Sequence, residues 1–309
     1  MVETSSLASH VLEALRCPAC KGTLRQASCR LECTGCAAEY RVEDGIPSLV
    51  PVGLDENIRL GTAAWSNLTW DYDLYIAGVP PERLALIDAP LLAQCVSGHR
   101  VLEVGCGTAR LRLRVEAAGG RYVGLDPSLA LLRQGAANGA RALVHGVGEH
   151  LPFPDSHFDV IIGGYASFRY IQLHMLYPEC ARVLKPRGVM AFTLWNNWSL
   201  FAHSVLQGLR AGRPWAARFR PGSSNDVVSP AREMKRLRES GFTVESILST
   251  PGAPPPGWMK TSGQVNGRPD YWRGRLGALF GHDIIFVCRH EQERSAVASG
   301  RHGAHATHR

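Results

Sequence analysis

Four cysteines near the start of the chain stand in two pairs, Cys17-Pro-Ala-Cys20 and Cys33-Thr-Gly-Cys36, with twelve residues between the pairs. A C-x2-C turn puts two sulfurs on one side of a tight loop. Two such loops facing each other on hairpins make a closed tetrahedral thiolate site of the kind that holds zinc. Gly35 suits the sharp turn of the second knuckle. A redox pair or incidental thiols are the competing readings, but the duplicated knuckle, with no strand-helix-strand pattern around either copy, favours zinc. Four protein ligands leave no position open for water or substrate. The metal is therefore expected to be structural, in a segment too short to build a core of its own.

A second constellation begins at Val101, in VLEVGCGTARL. An apolar strand candidate runs directly into Gly105-Cys106-Gly107, where glycine lets the backbone turn sharply and approach a ligand with no Cβ in the way. Dinucleotide proteins use such a turn too, and three details separate the two chemistries. The dinucleotide pattern wants glycine at its sixth position, where this chain has Arg110. Glu103, at the strand end, disfavours a pyrophosphate and suits a cationic amino group. Asp126, 19 residues beyond Gly107, closes the next strand, where a carboxylate can accept both hydroxyls of a ribose. Solvated loop carboxylates are the plain alternative for each acid; their register with the strands favours a bound cofactor.

These residues need a scaffold, and from His99 onward the chain alternates strand and helix patterns, which points to an α/β fold with a parallel sheet covered on both faces. Seven strands are predicted: 99–104, 121–125, 142–145, 158–163, 188–194, 243–248 and 283–288. A helix is expected over 171–184, and a short amphipathic helix with Leu7, Val11, Leu12 and Leu15 on one side precedes the first knuckle.

Taken in order, VLEVGCGTARL, GLDPS, GEHLPFPDSHFDVII and ECARVLKPRGVM resemble a class I S-adenosylmethionine-dependent methyltransferase of the type 11-like group, over about residues 95–195. GFTVESI and HDIIFVCRH resemble the last two strands of that fold. The resemblance implies a Rossmann-like, seven-stranded, mostly parallel sheet that binds S-adenosyl-L-methionine. Carried over by position, Glu103, Gly105, Cys106 and Gly107 would hold the methionine end and Asp126 the ribose, with Leu125 and Pro127 flanking it. Gly148 and Glu149 would lie along the adenine. Ala109 replaces a third glycine, and Val147 stands where the family commonly has an aspartate for the adenine amino group. The segment LRCPACKGTL…LECTGCAAEYRVEDGIPSLVP resembles the zinc-ribbon family that includes activators of tRNA and protein methyltransferases, where the ribbon is a scaffold or docking module.

Methyl transfer is an in-line displacement helped chiefly by positioning and by excluding water. The acceptor is expected beyond the carboxyl ends of the fourth and fifth strands, next to 163–170 and to Trp195-Asn196-Asn197-Trp198. Tyr165 and His174 are the candidates for a catalytic group there, each set against a plain packing or helix-surface role. The stretch from Trp65 to Tyr75, with Trp70 and Tyr72, reads either as a lid over the cofactor, as in similar enzymes, or as an apolar bridge between ribbon and core. No NPPY-like sequence follows the fourth strand, and no cysteine follows the fifth in the manner of cytosine methylation. Both absences weigh against nucleic-acid bases.

The formal net charge of +7 comes from the second half: residues 1–199 carry 18 basic against 19 acidic side chains, residues 200–309 carry 16 against 8. Arginines interleaved with aromatics in insertions at about 198–241 and 251–281 could bind RNA, but the charge lacks the dense runs of a nucleic-acid arm. No apolar run approaches the ~20 residues that span a bilayer, and no signal peptide is evident, so a cytoplasmic location is expected. The organisation expected is a zinc ribbon over 1–51, a linker with lid helices over 52–94, a methyltransferase core over 95–290 and a disordered tail over 291–309. The expected reaction is methyl transfer to O or N of a small molecule or modified peptide, with specialised metabolism as the expected setting. Methylation of rRNA or tRNA and a non-catalytic cofactor-binding scaffold are the alternatives. Oligomeric state is left open.

Overall fold

Helix α1 (Ser9–Ala14) leads into four short strands, β1 (Leu24–Ala27), β2 (Arg30–Cys33), β3 (Glu39–Glu43) and β4 (Ile46–Pro47), which pair antiparallel in that order. This is a computed structural model, and it describes residues 7, 9–66, 72–165, 167–195, 230–250, 272–273 and 283–291. Two helices, α2 (Glu56–Ser66) and α3 (Tyr72–Ala77), and then α4 (Pro81–Leu92) connect the ribbon to the core.

The core alternates as expected: β5 (Arg100–Val104), α5 (Arg112–Ala117), β6 (Arg121–Asp126), α6 (Leu129–Ala137), β7 (Leu143–His145), β8 (Phe158–Gly163), α7 (Leu173–Val183) and β9 (Leu184–Trp195). After these come α8 (Pro230–Glu239), β10 (Phe242–Ser249), the two-residue β11 (Trp272–Arg273) and β12 (Asp283–His290). The sheet runs β11-β10-β12-β9-β8-β5-β6-β7. Strands β5 to β9 are mutually parallel, and β12 lies antiparallel between β9 and β10. All seven predicted strands are present, and β11 adds an eighth at the edge against Leu248 and Ser249. The fifth strand begins four residues earlier than its sequence suggests. Lys185-Pro186-Arg187 reads as a turn, but Arg187 takes a left-handed φ of 65° and the strand runs through it with a shifted register.

Continuous runs of Val, Ile and Leu suit strands buried on both faces. Ile161 faces the side packed by α7 and α8 through Leu176, Tyr177, Met234 and Leu237, while Val160 and Ile162 face Leu91, Val115 and Leu132 of α4, α5 and α6. The ribbon is not a separate bead. Val11, Leu15, Leu24, Leu31 and Leu49 belong to the same apolar cluster as Val144, Leu151 and Phe153 of the core. Backbone bonds reinforce the seam, from Arg16 N to the Pro152 carbonyl (2.8 Å) and from Leu49 N to the His145 carbonyl (2.7 Å). Ser48 bridges His145 in parallel register, so the chain leaving the ribbon covers the β7 edge of the sheet and blunts it.

Most of the two insertions, including Trp198 and the aromatic-arginine stretch, lies outside the described residues, as do Trp70, the side chain of Tyr72 and the tail from residue 292. Tyr72 begins α3, and nothing further follows for its expected role over the cofactor.

Candidate functional site

A cavity of about 260 Å³ opens over the carboxyl ends of β5, β6 and β8. Gly105, Gly107, Asp126, Pro127, Gly148, Glu149 and Tyr165 from the sequence analysis all line it. Gly105 and Gly107 take left-handed φ of 72° and 54°, and a Cβ on Gly105 would lie 2.5 Å from that of Ser167. Glycine is therefore required at 105 both by the turn and by the close approach of the 167–170 turn, whose Ser167 hydroxyl donates to the Val104 carbonyl (3.0 Å). Ala109 also takes a left-handed φ, 59°. The third glycine of the resembling family thus answers a backbone need, and alanine here carries a conformational cost rather than a simple change of packing.

Asp126 is fixed from below. The Gly107 N–H donates to one carboxylate oxygen and the Ser128 N–H to the other, each at 2.8 Å. Each oxygen keeps a lone pair for the cavity. Ser128 in turn caps α6 through its hydroxyl. Burial pushes the Asp126 carboxyl up to about 6, against the two N–H groups, which pull it down.

Glu103 and Cys106 are placed differently from what their motif suggests. Both are buried, and neither lines the cavity. The Tyr122 hydroxyl donates to the Glu103 carboxylate at 2.6 Å. A Cβ on Gly164 would lie 3.8 Å from a Glu103 oxygen, so Glu103 sits one layer behind the cavity wall. Burial pushes its carboxyl up to about 8, with Tyr122 opposing. Cys106 packs its sulfur beneath Gly124, where a Cβ would meet it at 2.8 Å. Arg110 is also explained: it donates through both terminal nitrogens to the wholly buried Asp88 of α4 (2.5 and 2.8 Å), pinning the glycine turn to that helix.

The opposite end of the cavity is aromatic. Tyr165 adopts a left-handed φ of 50°, an uncommon state for a bulky residue and one that clusters at functional sites. Tyr170, Ile171 and Trp195 complete that end, and Arg169 stacks over the rings of Trp195 and Tyr170 at 4.3 and 4.9 Å. Phe168 holds this turn down by stacking on Phe192 (4.7 Å), and it fills the space a Cβ on Gly163 would need, 2.2 Å away. His174 is exposed on α7 and does not line the cavity. Among the described residues, no histidine, lysine or arginine lines it.

The roof belongs to the segment 52–94 expected to carry lid helices, through two residues that the sequence does not single out. Ile58 and Thr62 of α2 close over the cavity. The helix after it, α3, is latched by Asp73, whose carboxylate accepts from Thr108 Oγ1 (2.7 Å), Gln134 Nε2 (3.0 Å) and Asn138 Nδ2 (3.2 Å). Thr108 directly follows Gly107, so one aspartate ties α3 to the glycine turn. Nothing local in the sequence marks it.

The cysteine pairs converge. The four sulfurs lie within 4.8 Å of one another, with Cys20 and Cys33 3.4 Å apart and Cys17 and Cys36 3.7 Å apart. Zinc–thiolate bonds of about 2.3 Å at tetrahedral angles need sulfurs about 3.8 Å apart, so the donor set fits a closed zinc site. A Cβ on Gly22 would come within 3.1–3.2 Å of the Cys20 and Cys33 sulfurs, tighter than at Gly35. Gly22 is thus the glycine the cradle needs most. The Tyr40 hydroxyl lies 3.1 Å from the Cys17 sulfur, as an outer partner orienting a ligand.

Residues 102–192 match the family model of the methyltransferase domain, and residues 9–45 match that of Trm112p-like proteins. The ubiquinone biosynthesis O-methyltransferase of Rhodopseudomonas palustris (strain HaA2) is 28% identical over 165 residues, covering 48% of this chain and 60% of that protein. That of Nitrobacter winogradskyi is 30% identical over 124 residues, covering 36% of this chain and 45% of that protein. The chain thus spans at most about 60% of the length of these relatives. A chain from the complex between the Haloferax volcanii Trm112 methyltransferase activator and a candidate methyltransferase superposes with a TM-score of 0.51 at 19% identity, over 76% of this chain and 98% of that one. The sheet is that of the class I methyltransferases, and the chain joins it to a Trm112p-like segment.

Proposed function

We propose that this chain, which carries a methyltransferase domain behind a Trm112p-like ribbon, is an S-adenosylmethionine-dependent methyltransferase acting on O or N of a small molecule or modified peptide. The observation that carries the reading is Asp126: its carboxylate is buried, held from behind by Gly107 and Ser128, and presented to the cavity beside the glycine turn. A paired acceptor fixed in this way suits the two hydroxyls of a ribose. Leu125, Leu131 and Val147 give an apolar slot for a planar base, and Val147 offers it no carboxylate.

S-adenosylmethionine, when bound, supplies an electrophilic methyl on a sulfonium. The protein positions the acceptor and excludes water. Tyr165, Tyr170 and Trp195 form a wall on which a planar acceptor would stack, and Ile58 and Thr62 close the roof. The names of the relatives, O-methyltransferases of ubiquinone biosynthesis, support a hydroxyl acceptor. The basic second half keeps RNA as the second reading, since residues 200–309 carry the entire charge excess.

We assign a structural zinc to Cys17, Cys20, Cys33 and Cys36, with the ribbon acting as a scaffold on its own core. Among the described residues no helix is long and apolar enough to cross a membrane. Incubating the full chain with methyl-labelled S-adenosylmethionine and parallel panels of phenols, amines, peptides and RNA tests the proposal. Label is expected in a small-molecule or peptide fraction. Label confined to RNA would overturn the acceptor assignment, and cofactor binding without turnover on any panel would support the scaffold reading.

A further inference from the structure

The ribbon and the cavity meet at one side chain. His145 closes β7 in register with Asp126 of β6. Its Nδ1 lies 2.8 Å from the Ser48 hydroxyl on the chain leaving the ribbon, and its Nε2 lies 3.1 Å from the Pro127 carbonyl. A carbonyl can only accept, so Nε2 carries the proton and Nδ1 accepts from Ser48. The backbone doubles the link, since Leu49 N donates to the His145 carbonyl at 2.7 Å and Gly146 N to the Asp126 carbonyl at 3.1 Å. Burial lowers the affinity of this imidazole for a second proton, which favours the neutral ring that this pairing needs.

Pro127 lies between Asp126 and Ser128, whose N–H donates to the Asp126 carboxylate, and it lines the cavity itself. Its nitrogen has no hydrogen to donate, which leaves its carbonyl as the backbone handle at that residue. We infer that His145 is a positioning residue that transmits the docking of the ribbon to the ribose-holding loop 126–128, so that the ribbon helps to set cofactor affinity. The inference rests on the cofactor reading given above for its consequence, but not for the link itself.

Two readouts on the full chain separate these. Amide exchange of Gly107 and Ser128, the two donors to Asp126, reports the loop with no cofactor present. Calorimetric titration with S-adenosylhomocysteine reports affinity. His145→Leu is expected to speed both exchanges and raise Kd about three- to tenfold, the worth of its bond to the Pro127 carbonyl. His145→Gln, whose amide can donate to Pro127 and accept from Ser48, is expected to restore both to within about twofold. Ser48→Ala, which needs no repacking, should move both readouts in the same direction and serves if His145→Leu does not fold. Arg133→Ala removes a separate side-chain tie between ribbon and core, its ion pairs with Glu43 and Asp44 (2.8 and 2.9 Å). It should lower the melting temperature and leave Kd unchanged. Unchanged exchange in both His145→Leu and Ser48→Ala would overturn the inference, as would an equal rise in Kd from Arg133→Ala. Faster exchange in the variants, with a parent chain that does not bind S-adenosylhomocysteine, would confirm the link and count against the cofactor reading alone.

Discussion

Replacing Asp126 with alanine removes a carboxylate whose two oxygens each accept one backbone N–H at 2.8 Å and keep one lone pair toward the cavity. Two ribose hydroxyls would each lose a charge-assisted bond, worth about 1.5–3 kcal/mol apiece before compensation. Water entering the vacated space recovers part of that, so the net loss is about 1–3 kcal/mol and Kd for S-adenosylhomocysteine rises several-fold to about a hundredfold. The pH dependence sharpens the test. Burial raises the Asp126 carboxyl to about 6 in the free site, and the ribose-bound form is the ionised one, so a proton competes with the ligand. The ratio of variant to parent Kd should be level above about pH 7 and shrink as pH falls through 6, approaching a tenfold loss of parent affinity per unit. Taking the ratio cancels other groups, including Glu103, that titrate in both proteins. Calorimetry at half-unit steps from pH 5 to 8, with melting curves to show that the variant is folded, measures it. A variant that binds like the parent, or a ratio that does not change with pH, would refute the role given to Asp126.

Asp73→Ala should free α3 from Thr108, Gln134 and Asn138, raising the dissociation rate of S-adenosylhomocysteine about three- to tenfold in stopped-flow; an unchanged rate would show that α3 does not secure the ligand. Ala109→Gly relieves a left-handed alanine worth about 1–2 kcal/mol at a glycine entropy cost of about 0.5–1 kcal/mol. Urea unfolding should therefore show a gain of up to about 1 kcal/mol. Purified protein should carry about one zinc per chain by mass spectrometry, and chelation should lower its melting temperature; folded, metal-free protein would dismiss the zinc assignment.

The glycine turn, the acid ending β6 and the cysteine knuckles were legible because each is a local pattern whose chemistry depends on neighbours in sequence. The strands were legible because burial on both faces leaves unbroken apolar runs. What escaped depends on distant partners. Arg110 reads as a missing glycine until Asp88 is brought beneath it. Glu103 reads as a cavity carboxylate, but Tyr122 and the wall at Gly164 hold it one layer back. Ile58 and Thr62 look like any apolar and small residues of a helix, and only the packing of α2 makes them a roof. His145 looks like the end of a strand. Its function as a link exists only because the chain after the ribbon pairs with that edge.

The most direct test of the central claim is a competitive titration of the purified chain with S-adenosylmethionine and with nicotinamide adenine dinucleotide. The geometry at Gly105, Gly107, Arg110 and Asp126 predicts saturable binding of about one S-adenosylmethionine per chain, with no displacement by the dinucleotide. Saturable binding of the dinucleotide, with S-adenosylmethionine failing to compete, would contradict it.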